Sequence, residues 1–390
     1  MKRIQGLASA GLCLLLVLGA CQTVPDYNQE LAPGASALLP LGPGDPLPDF
    51  GPQWERRDEI LSALENSIAW TRREHARQFF PVEGVTHERA LASLERFRDI
   101  LETSYGPGEF QRAVEAEFEV YKSAGWNGRG GGVLFTAYCT PILRGSPVES
   151  STYRFPLYAK PDDLVKARDG SVLGWETAGG TLPHYPTRAT IESRSLLAGK
   201  GLELVWLSDP IDAFLAHVNG SAFIELLSGE VLRLGYAAKN GRAYTSLGKE
   251  LESAGVIERA SLRAIRDWAA YEDEGTIFDY LHRNASYVFF TPIDGNPHGS
   301  LDVEVTAERS IATDKSLFPR GAITFVEADV PGAYGGPEER FEQFLLDQDT
   351  GGAIRTAGRA DLYLGIGDEA EDRAGRTKSE GQLYYLFLRD

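Results

Sequence analysis

The C-terminal stretch Asp347–Gly375 reads DQDTGGAIRTAGRADLYLGIGDEAEDRAG. In its centre, apolar and polar side chains alternate: Ala360, Leu362 and Leu364 against Arg359, Asp361 and Tyr363. A period of two predicts a β-strand with one buried and one polar face. The glycines of DTGG permit a turn before this strand, so a crossing strand can bring Asp349 close to Asp361. A polar strand face followed by a solvated acidic loop fits the local pattern equally well.

The N-terminus has the pattern of a lipoprotein signal peptide. A basic start precedes an apolar run from Leu12 to Leu18, and LGAC ends at Cys21. The run is shorter than the roughly 18 residues of a membrane-spanning helix. We therefore expect residues 1–20 to be removed and Cys21 to carry a lipid, an ordinary signal peptide with an incidental cysteine being the alternative. Gln22 follows Cys21, and this favours an outer-membrane lipoprotein facing the periplasm.

Charge and composition exclude several classes of function. The formal net charge is −17, so the surface repels phosphates and we expect no nucleic acid partner. Once Cys13 is removed and Cys21 is lipidated, only Cys139 remains, and no intramolecular disulfide can form. The six histidines are scattered without the spacing of metal ligands. We expect neither a metal nor a cofactor.

The chain changes character along its length. Residues 21–52 are rich in Pro, Gly and Ala and predict a flexible or polyproline tether. Three amphipathic helices are predicted after Trp54, and the third is predicted to extend to Tyr121. Short β-rich pieces separated by Gly and Pro follow Gly132, which suggests a barrel or sandwich. One helix interrupts them, with Asp209 as its N-cap.

Two short motifs match functional signatures only in part. SLGK at Ser246–Lys249 matches the S-x-x-K of penicillin-binding proteins, but the accompanying K-T-G is absent. GRGGG at 128–132 lacks the spacing and the preceding strand of a nucleotide-binding loop. Chance and a mobile connector, respectively, are the better interpretations.

Several ordered blocks indicate a known family. DTGGAIRTAGRADLYLGIGDEA closely resembles the C-terminal signature of the membrane-bound lytic murein transglycosylase A family. That signature has an Asp, a Gly-Gly-Ala-Ile turn, and a second Asp before an aromatic residue and Gly-x-Gly. SIATDKSLFPRGA, RNASYVFF, LGYAAKNGRAYTSLG and YRFPLY resemble other blocks of the family. The resemblance covers roughly residues 54–388.

The resemblance implies a fold and an activity. The fold is mainly β with added helices: a double-psi β-barrel carrying a 3D-type C-terminal signature, formed by residues 53–143 and 284–390. A second β-barrel is inserted at 144–283, and a groove for glycan lies where the two meet. The implied enzyme cleaves the β-1,4 bond between N-acetylmuramic acid and N-acetylglucosamine of peptidoglycan without water, leaving 1,6-anhydromuramyl ends.

The resemblance also implies site residues. Asp361 matches the catalytic aspartate, and Asp349 and Asp368 are supporting acids. Binding of sugar or peptide groups is expected from residues on both domains: Thr350, Asn219, Lys239 and Tyr244. Asn219 stands where Gln is usual, and Cys139 stands where relatives carry Tyr or Glu, so the sugar contacts of these two positions differ from the family pattern.

One carboxyl group suffices for this chemistry. The nucleophile is the C6 hydroxyl of the same sugar, and such intramolecular attack is equivalent to effective molarities on the order of 10⁵ M. Asp361 can then donate a proton to the leaving oxygen and accept one from the hydroxyl. Burial and a neighbouring carboxylate should raise its pKa. We therefore expect Arg359 to point away from Asp361 or to be engaged elsewhere.

Two other classes of function remain open from the sequence. A non-catalytic peptidoglycan-binding or expansin-like double-psi barrel lipoprotein is one, because the same fold serves that role. A structural lipoprotein that scaffolds the wall machinery is the other. The expected partners are the glycan strands of peptidoglycan, the membrane through the lipid anchor, and proteins of cell-wall synthesis or the divisome.

Overall fold

The computed structural model describes residues 25–167 and 172–389. The predicted signal peptide and the predicted lipid attachment at Cys21 lie outside these residues. No helix in the described ranges has the length and apolar character needed to cross a membrane.

Strands dominate the described ranges. They are β1 (Leu38–Pro40), β2 (Phe118–Ser123), β3 (Val133–Thr140), β4 (Ile142–Ser146), β5 (Phe155–Tyr158), β6 (Leu164–Lys166), β7 (Val172–Thr177), β8 (Gly180–Leu182), β9 (Glu203–Leu207), β10 (Ala222–Leu226), β11 (Val231–Lys239), β12 (Val288–Pro292), β13 (Ser310–Ala312), β14 (Ile323–Pro331), β15 (Glu338–Asp349), β16 (Arg359–Ile366) and β17 (Ser379–Leu388).

The helices of the same ranges are mostly short. They are α1 (Arg57–Thr71), α2 (His87–Thr103), α3 (Pro107–Glu117), α4 (Arg188–Ser193), α5 (Pro210–Asn219), α6 (Leu247–Ser253), α7 (Leu262–Ala269), α8 (Glu274–Leu281) and α9 (Asp368–Arg376). Turns of 3₁₀-helix occupy Gly51–Arg56, Glu74–Phe79 and Ala333–Gly335.

Six strands close the first barrel. Their order is β17, β14, β15, β13, β16 and β3, and β3 pairs back onto β17. Most neighbours are antiparallel, but β13 runs parallel to β15 and β3 runs parallel to β16. Apolar side chains such as Phe135, Leu362 and Leu383 fill the interior. The prediction of a double-psi β-barrel with added helices is confirmed.

The N-terminal helices cover one side of this barrel. Phe97 of α2 and Phe110 of α3 pack against Phe344 of β15, with ring centroids 4.8 and 6.0 Å apart. The predicted third helix was too long, because α3 ends at Glu117 and Phe118 begins β2. From there β2 pairs with β17 at the edge of the barrel, and this pairing satisfies its backbone groups.

The second barrel is formed by the insert. Its strands follow the order β12, β11, β10, β4, β9 and β5, and a parallel bridge between Ala159 and Phe290 nearly closes the ring. The prediction of an inserted second β-barrel is confirmed. The predicted boundaries at 144 and 283 were too narrow, because β4 begins at Ile142 and β12 ends at Pro292, and both pair inside this sheet.

The segment predicted as a tether is partly folded onto the barrel. Leu38–Pro40 pairs with β2, and Phe50 is fully buried against Phe325 and Phe344. The tether prediction is therefore wrong for this part of 21–52. The segment contains a few apolar side chains among its Pro and Gly residues. The free energy gained by burying these side chains outweighs the low propensity of Pro and Gly for regular secondary structure.

The two barrels meet at β3, which leads into β4 through Pro141. Side-chain hydroxyls of Thr140, Ser221 and Tyr363 share hydrogen bonds of 3.0 and 3.1 Å across this junction. Arg266 of the insert donates to Asp212 and, across the junction, to Glu371 of α9 at 2.7 and 2.8 Å. These contacts fix the insert above one end of the first barrel.

Candidate active site

A short central strand brings the two predicted aspartates together. Ala312 of β13 pairs with Asp349 of β15 on one side and with Asp361 of β16 on the other. Because neighbouring strands lie about 4.8 Å apart, the backbones of the two aspartates are separated by about 10 Å. Directly paired residues point to the same face of a sheet, so both carboxyl groups face the same region.

Asp361 lies in an environment that disfavours charge. Its side chain is half-buried, and its Oδ1 is buried without a hydrogen-bond partner. Desolvation by burial raises the pKa of Asp361 to about 6, and the Asp349 carboxylate adds to this rise. A hydrogen bond from Thr136 and the charge of Arg359 oppose it without cancelling it. A carboxyl group with this pKa holds its proton in mildly acidic solution.

Asp349 accepts more hydrogen bonds than Asp361. Its Oδ2 accepts from the Tyr138 hydroxyl at 2.8 Å, and its Oδ1 accepts from the backbone N–H groups of Ser300 and Thr350, both at 2.8 Å. Burial raises the pKa of Asp349, but these three donors favour its ionised form. The two carboxyl groups thus differ in how well their negative charge is supported.

Arg359 is engaged as expected from the sequence. Its guanidinium donates to Oγ1 of Thr136 at 3.3 Å, and the described residues show no ion pair between Arg359 and Asp361. Thr136 in turn lowers the pKa of Asp361. Arg359 therefore acts on Asp361 through Thr136 and by its charge at a distance.

A buried ion pair lies behind Asp349. Lys315 is in salt-bridge contact with Asp347, whose carboxylate also accepts from Thr313 and Tyr385 at 2.7 and 2.9 Å. Both charged side chains are almost fully buried. Lys315 also lowers the pKa of Asp349 by its charge, although less than the hydrogen bonds do. The sequence analysis did not identify this pair.

A cavity of about 270 Å³ lies where residues of the two barrels meet. Tyr138 and Cys139 of β3, Asn219 of α5 and Tyr244 of the insert line it, together with Glu371 of α9. Tyr244 lies close enough to Asp361 for that carboxylate to raise its pKa, with burial as the larger cause. Residues from both domains therefore line this cavity, and two of them connect it to the aspartates: Tyr138 donates to Asp349, and Tyr244 lies near Asp361.

The remaining predicted residues are distributed unevenly around the site. Thr350 follows Asp349, and its Oγ1 is buried without a partner. Lys239 is exposed at the end of β11. Asp368 is exposed at the first residue of α9, and five residues of β16 separate Asp361 from the end of that strand. At about 3.3 Å per residue this is about 16 Å along the strand, and the expected support of Asp361 by Asp368 stays a prediction.

The other sequence motifs have structural roles or none. Ser246 of SLGK caps α6 by accepting a hydrogen bond from the backbone of Lys249, which agrees with the chance interpretation. Within the described ranges, no group of three or more His, Cys, Asp or Glu side chains could hold a metal ion.

Comparison with known proteins agrees with this architecture. The model described as the MltA specific insert domain matches residues 134–291, and that described as the 3D domain matches residues 309–387. The chain is 34% identical over 286 residues to the membrane-bound lytic murein transglycosylase A of Vibrio cholerae, covering 71% of each sequence. The chain belongs to the membrane-bound lytic murein transglycosylase A family. The family predicted from the sequence is confirmed.

Solved structures of family members share the fold. A membrane-bound lytic murein transglycosylase from Agrobacterium tumefaciens has a TM-score of 0.71 at 24% identity, covering 87% of this chain and 95% of its own. Escherichia coli MltA with bound chitohexaose has a TM-score of 0.66 at 22% identity, covering 94% and 96%. At these identities the likeness establishes the two-barrel fold.

Both departures from the family pattern line the junction cavity. Cys139 is buried, and desolvation raises the pKa of its thiol to about 12, so it stays a neutral thiol. Asn219 is half-buried at the last residue of α5. Cys139 therefore adds an uncharged side chain to the cavity wall.

Thr136, Tyr138 and Ser300 are site residues that the sequence analysis missed. In VLFTAYCT, Thr136 and Tyr138 alternate with Phe135 and Cys139, so a polar strand face was visible in the sequence. Ser300 follows the insert in a loop that bears no periodic signal, and only its backbone N–H reaches Asp349.

Proposed function

We propose that this chain is a lytic transglycosylase that cleaves the bond between N-acetylmuramic acid and N-acetylglucosamine and forms 1,6-anhydromuramyl ends. Asp361 acts as the single acid and base. Membership of the family supports an enzyme that cleaves peptidoglycan, in agreement with the prediction from sequence. The chitohexaose complex of E. coli MltA supports a glycan as the ligand of the junction groove.

The observation that carries the proposal is the state of Asp361. A carboxyl group with a pKa near 6, close to Tyr244 of the junction cavity, is a general acid suited to mildly acidic or neutral conditions. Hydrolytic glycosidases pair such an acid with a second carboxylate that attacks or activates water. Here three donors hold the Asp349 carboxylate in one orientation, which suits it to a fixed electrostatic role and not to that of a mobile nucleophile.

In the reaction Asp361 donates one proton and later accepts one. Asp361 donates its proton to the glycosidic oxygen as the bond from that oxygen to C1 of the muramic acid breaks. The C6 hydroxyl oxygen of the same sugar bonds to C1 and closes the anhydro ring. Its proton passes to the Asp361 carboxylate, which restores the starting state. No water is consumed, and the intramolecular attack replaces the second catalytic group.

Asp349 contributes negative potential. Positive charge develops on the sugar ring as the C1 bond breaks, and a fixed anion nearby stabilises that charge without reorganisation. Tyr138, Ser300 and Thr350 hold the Asp349 carboxylate in one orientation and favour its ionised form. The proposed division of roles is therefore a protonated Asp361 and an ionised Asp349.

We further propose that the enzyme acts at a membrane. The named relatives are membrane-bound. A lipid on Cys21 would hold the folded body at the outer membrane, facing the periplasm, close to Tyr27, whose backbone oxygen accepts a hydrogen bond from Thr356 of the first barrel.

The test is the product of peptidoglycan digestion. Purified protein is incubated with sacculi, and the released fragments are analysed by mass spectrometry. Anhydromuropeptides are expected, and they should disappear in an Asp361→Asn variant. Glu369→Gln is the matched control, since it removes a carboxylate from the same segment at an exposed position, and it should retain activity. Reducing ends would indicate a hydrolase, and binding without soluble product would indicate the binding-module alternative; either result contradicts the proposal.

A further inference from the structure

Residues 350–358 join β15 to β16, the strands that carry Asp349 and Asp361, and we call them the aspartate loop. The backbone N–H of its first residue donates to the Asp349 carboxylate at 2.8 Å. Gly352 packs against Tyr244, which lines the junction cavity: a Cβ atom at that glycine would lie 3.4 Å from Cβ of Tyr244. The path of the loop therefore fixes one donor to Asp349 and one contact with the cavity wall.

Thr356 has a strained backbone conformation in this loop. Its φ angle is +80°, which β-branched residues rarely adopt and which persists only where neighbouring contacts compensate the strain. Three hydrogen bonds surround the residue. Its backbone N–H donates to Oδ2 of Asp314 at 3.1 Å, and its Oγ1 accepts from the N–H of Gly358 at 3.3 Å. The Thr356 hydroxyl donates to the backbone oxygen of Tyr27 at 2.6 Å.

Tyr27 belongs to the N-terminal segment 25–31, which we call the strap. The Tyr27 hydroxyl donates to the carboxylate of Glu380 on β17, and Leu31 packs against the core of the first barrel. These two contacts hold the strap on the barrel and present the Tyr27 carbonyl group to Thr356. The hydrogen bond between them joins residues 329 positions apart in the chain.

Two glycines leave room for the strap. A Cβ atom at Gly358 would lie 3.1 Å from the Tyr27 oxygen, and one at Gly132 would collide with Cγ of Glu380. A side chain at either position would displace the strap or the residue that binds it. Gly132 ends the GRGGG motif at 128–132, so this motif borders the strap.

We propose that Thr356 is a positioning residue and that the strap, by accepting its hydroxyl hydrogen bond, fixes the aspartate loop for catalysis. This rests on the proposed function. Both ends of the loop continue into paired strands, so a change of φ at Thr356 displaces the residues between them. Those residues carry the N–H that holds Asp349 and the glycine that packs against Tyr244. Loss of the strap contact should therefore slow the reaction while the glycan still binds.

The strap also connects the site to the proposed membrane anchor. Cys21 precedes Tyr27 by six residues, and six extended residues span at most about 20 Å. A lipid on Cys21 would therefore keep Tyr27, and with it the aspartate loop, within about 20 Å of the membrane surface. The same segment then anchors the enzyme and positions its site.

The first test is a series of substitutions at Thr356, with kcat and KM measured on uncrosslinked peptidoglycan strands. Thr356→Val keeps the branched side chain but loses the hydroxyl, so kcat should fall about five- to tenfold, as expected for one hydrogen bond. Thr356→Ser keeps the hydroxyl and should retain the parent kcat. Thr356→Gly adopts a positive φ without strain, so it should lose less than Thr356→Val. KM should not change in any of the three.

Parent-like kcat in Thr356→Val, or equal losses in Thr356→Val and Thr356→Ser, would overturn the proposal. Thr152→Val is the matched control, because it removes an exposed threonine hydroxyl from the insert, and it should behave as the parent.

The second test loosens the strap from its own side. Tyr27→Ala removes the hydroxyl that binds Glu380, and kcat should fall several-fold. In the Thr356→Gly background the same change should have little further effect, because glycine needs no compensation for its positive φ. Equal losses in both backgrounds would overturn the proposal, since Tyr27 would then act through another contact. Gln29→Ala changes an exposed residue of the same strap and should retain the parent kcat.

Hydrogen exchange measured by mass spectrometry follows the loop directly. In Thr356→Val and Tyr27→Ala, the amides of residues 350–355 should exchange several-fold faster, while those of the insert barrel exchange as in the parent. Unchanged exchange in the loop, or equal acceleration in both regions, would overturn the proposal. This measurement does not depend on turnover. If the parent cleaves no peptidoglycan, the proposed function fails, while the exchange still decides whether the strap orders the loop.

Discussion

Replacing Asp361 by Asn should stabilise the protein by an amount that depends on pH. The folded state raises the pKa of this carboxyl group from 3.8 to about 6. Below the unfolded pKa the carboxyl group is protonated in both states, so its stability contribution is fully present there. As the pH rises through the folded pKa, that stability is lost, because the unfolded state ionises more easily than the folded one. Linkage between the two pKa values gives a penalty of about 3 kcal/mol at pH 7.5 and about 1 kcal/mol at pH 4.5. Asn carries no charge and escapes both penalties.

The difference between the two pH values isolates the charge from the packing of the amide. Urea unfolding of parent and variant should show that the free-energy advantage of Asn shrinks by about 2 kcal/mol between pH 7.5 and pH 4.5. Asp368→Asn, which removes an exposed carboxylate, should show no such trend. If the advantage of Asp361→Asn were the same at both pH values, Asp361 would have an ordinary pKa, and the assignment of a protonated acid would be refuted.

Three further predictions follow from the same geometry. The value of kcat/KM for peptidoglycan should fall about tenfold per pH unit above about 6, because the acid must be protonated, and a profile flat to pH 8 would contradict this. Tyr138→Phe removes a donor to Asp349 worth about 1.5 kcal/mol, so kcat should drop about tenfold and the free energy of unfolding should fall by about the same 1.5 kcal/mol; unchanged kcat in the folded variant would exclude a role for this contact. Lys315→Met should cost about 3–5 kcal/mol of stability by leaving Asp347 buried and unpaired, and Lys315→Met/Asp347→Asn should recover most of it; equal losses in both would mean that the pair is not the cause.

The parts of the fold that follow from periodicity were predictable. The alternation around Asp361 correctly placed Ala360, Leu362 and Leu364 in the barrel interior, and Asp209 with Pro210 correctly marked the start of α5. The ordered family blocks supplied the topology, which no local pattern contains. Closure of the first barrel requires β3 to pair with both β16 and β17. These pairings join residues more than 200 positions apart in the chain, so only the resemblance indicated them.

The errors have a common physical cause. Phe118 and Tyr121 continue the apolar spacing of α3, yet they lie in β2 because an edge position on β17 satisfies their backbone groups. Leu38–Pro40 lies in a stretch whose composition predicts a flexible chain, but it forms a strand because it pairs with the other edge of β2. Val288–Pro292 joins the insert because β11 offers a pairing edge. In each case a strand partner distant in sequence overrode the local preference.

The division of roles between the two aspartates arises from topology more than from residue type. Both are aspartates on strands that flank β13, and burial raises the pKa of each. Asp349 ends its strand, where the Ser300 loop and the start of its own turn supply backbone donors. Asp361 lies inside its strand, where the backbone N–H groups belong to the sheet and only the Thr136 side chain is available. A carboxyl group in the middle of a strand cannot collect backbone donors, and the position of Asp361 in the barrel therefore keeps its proton in place.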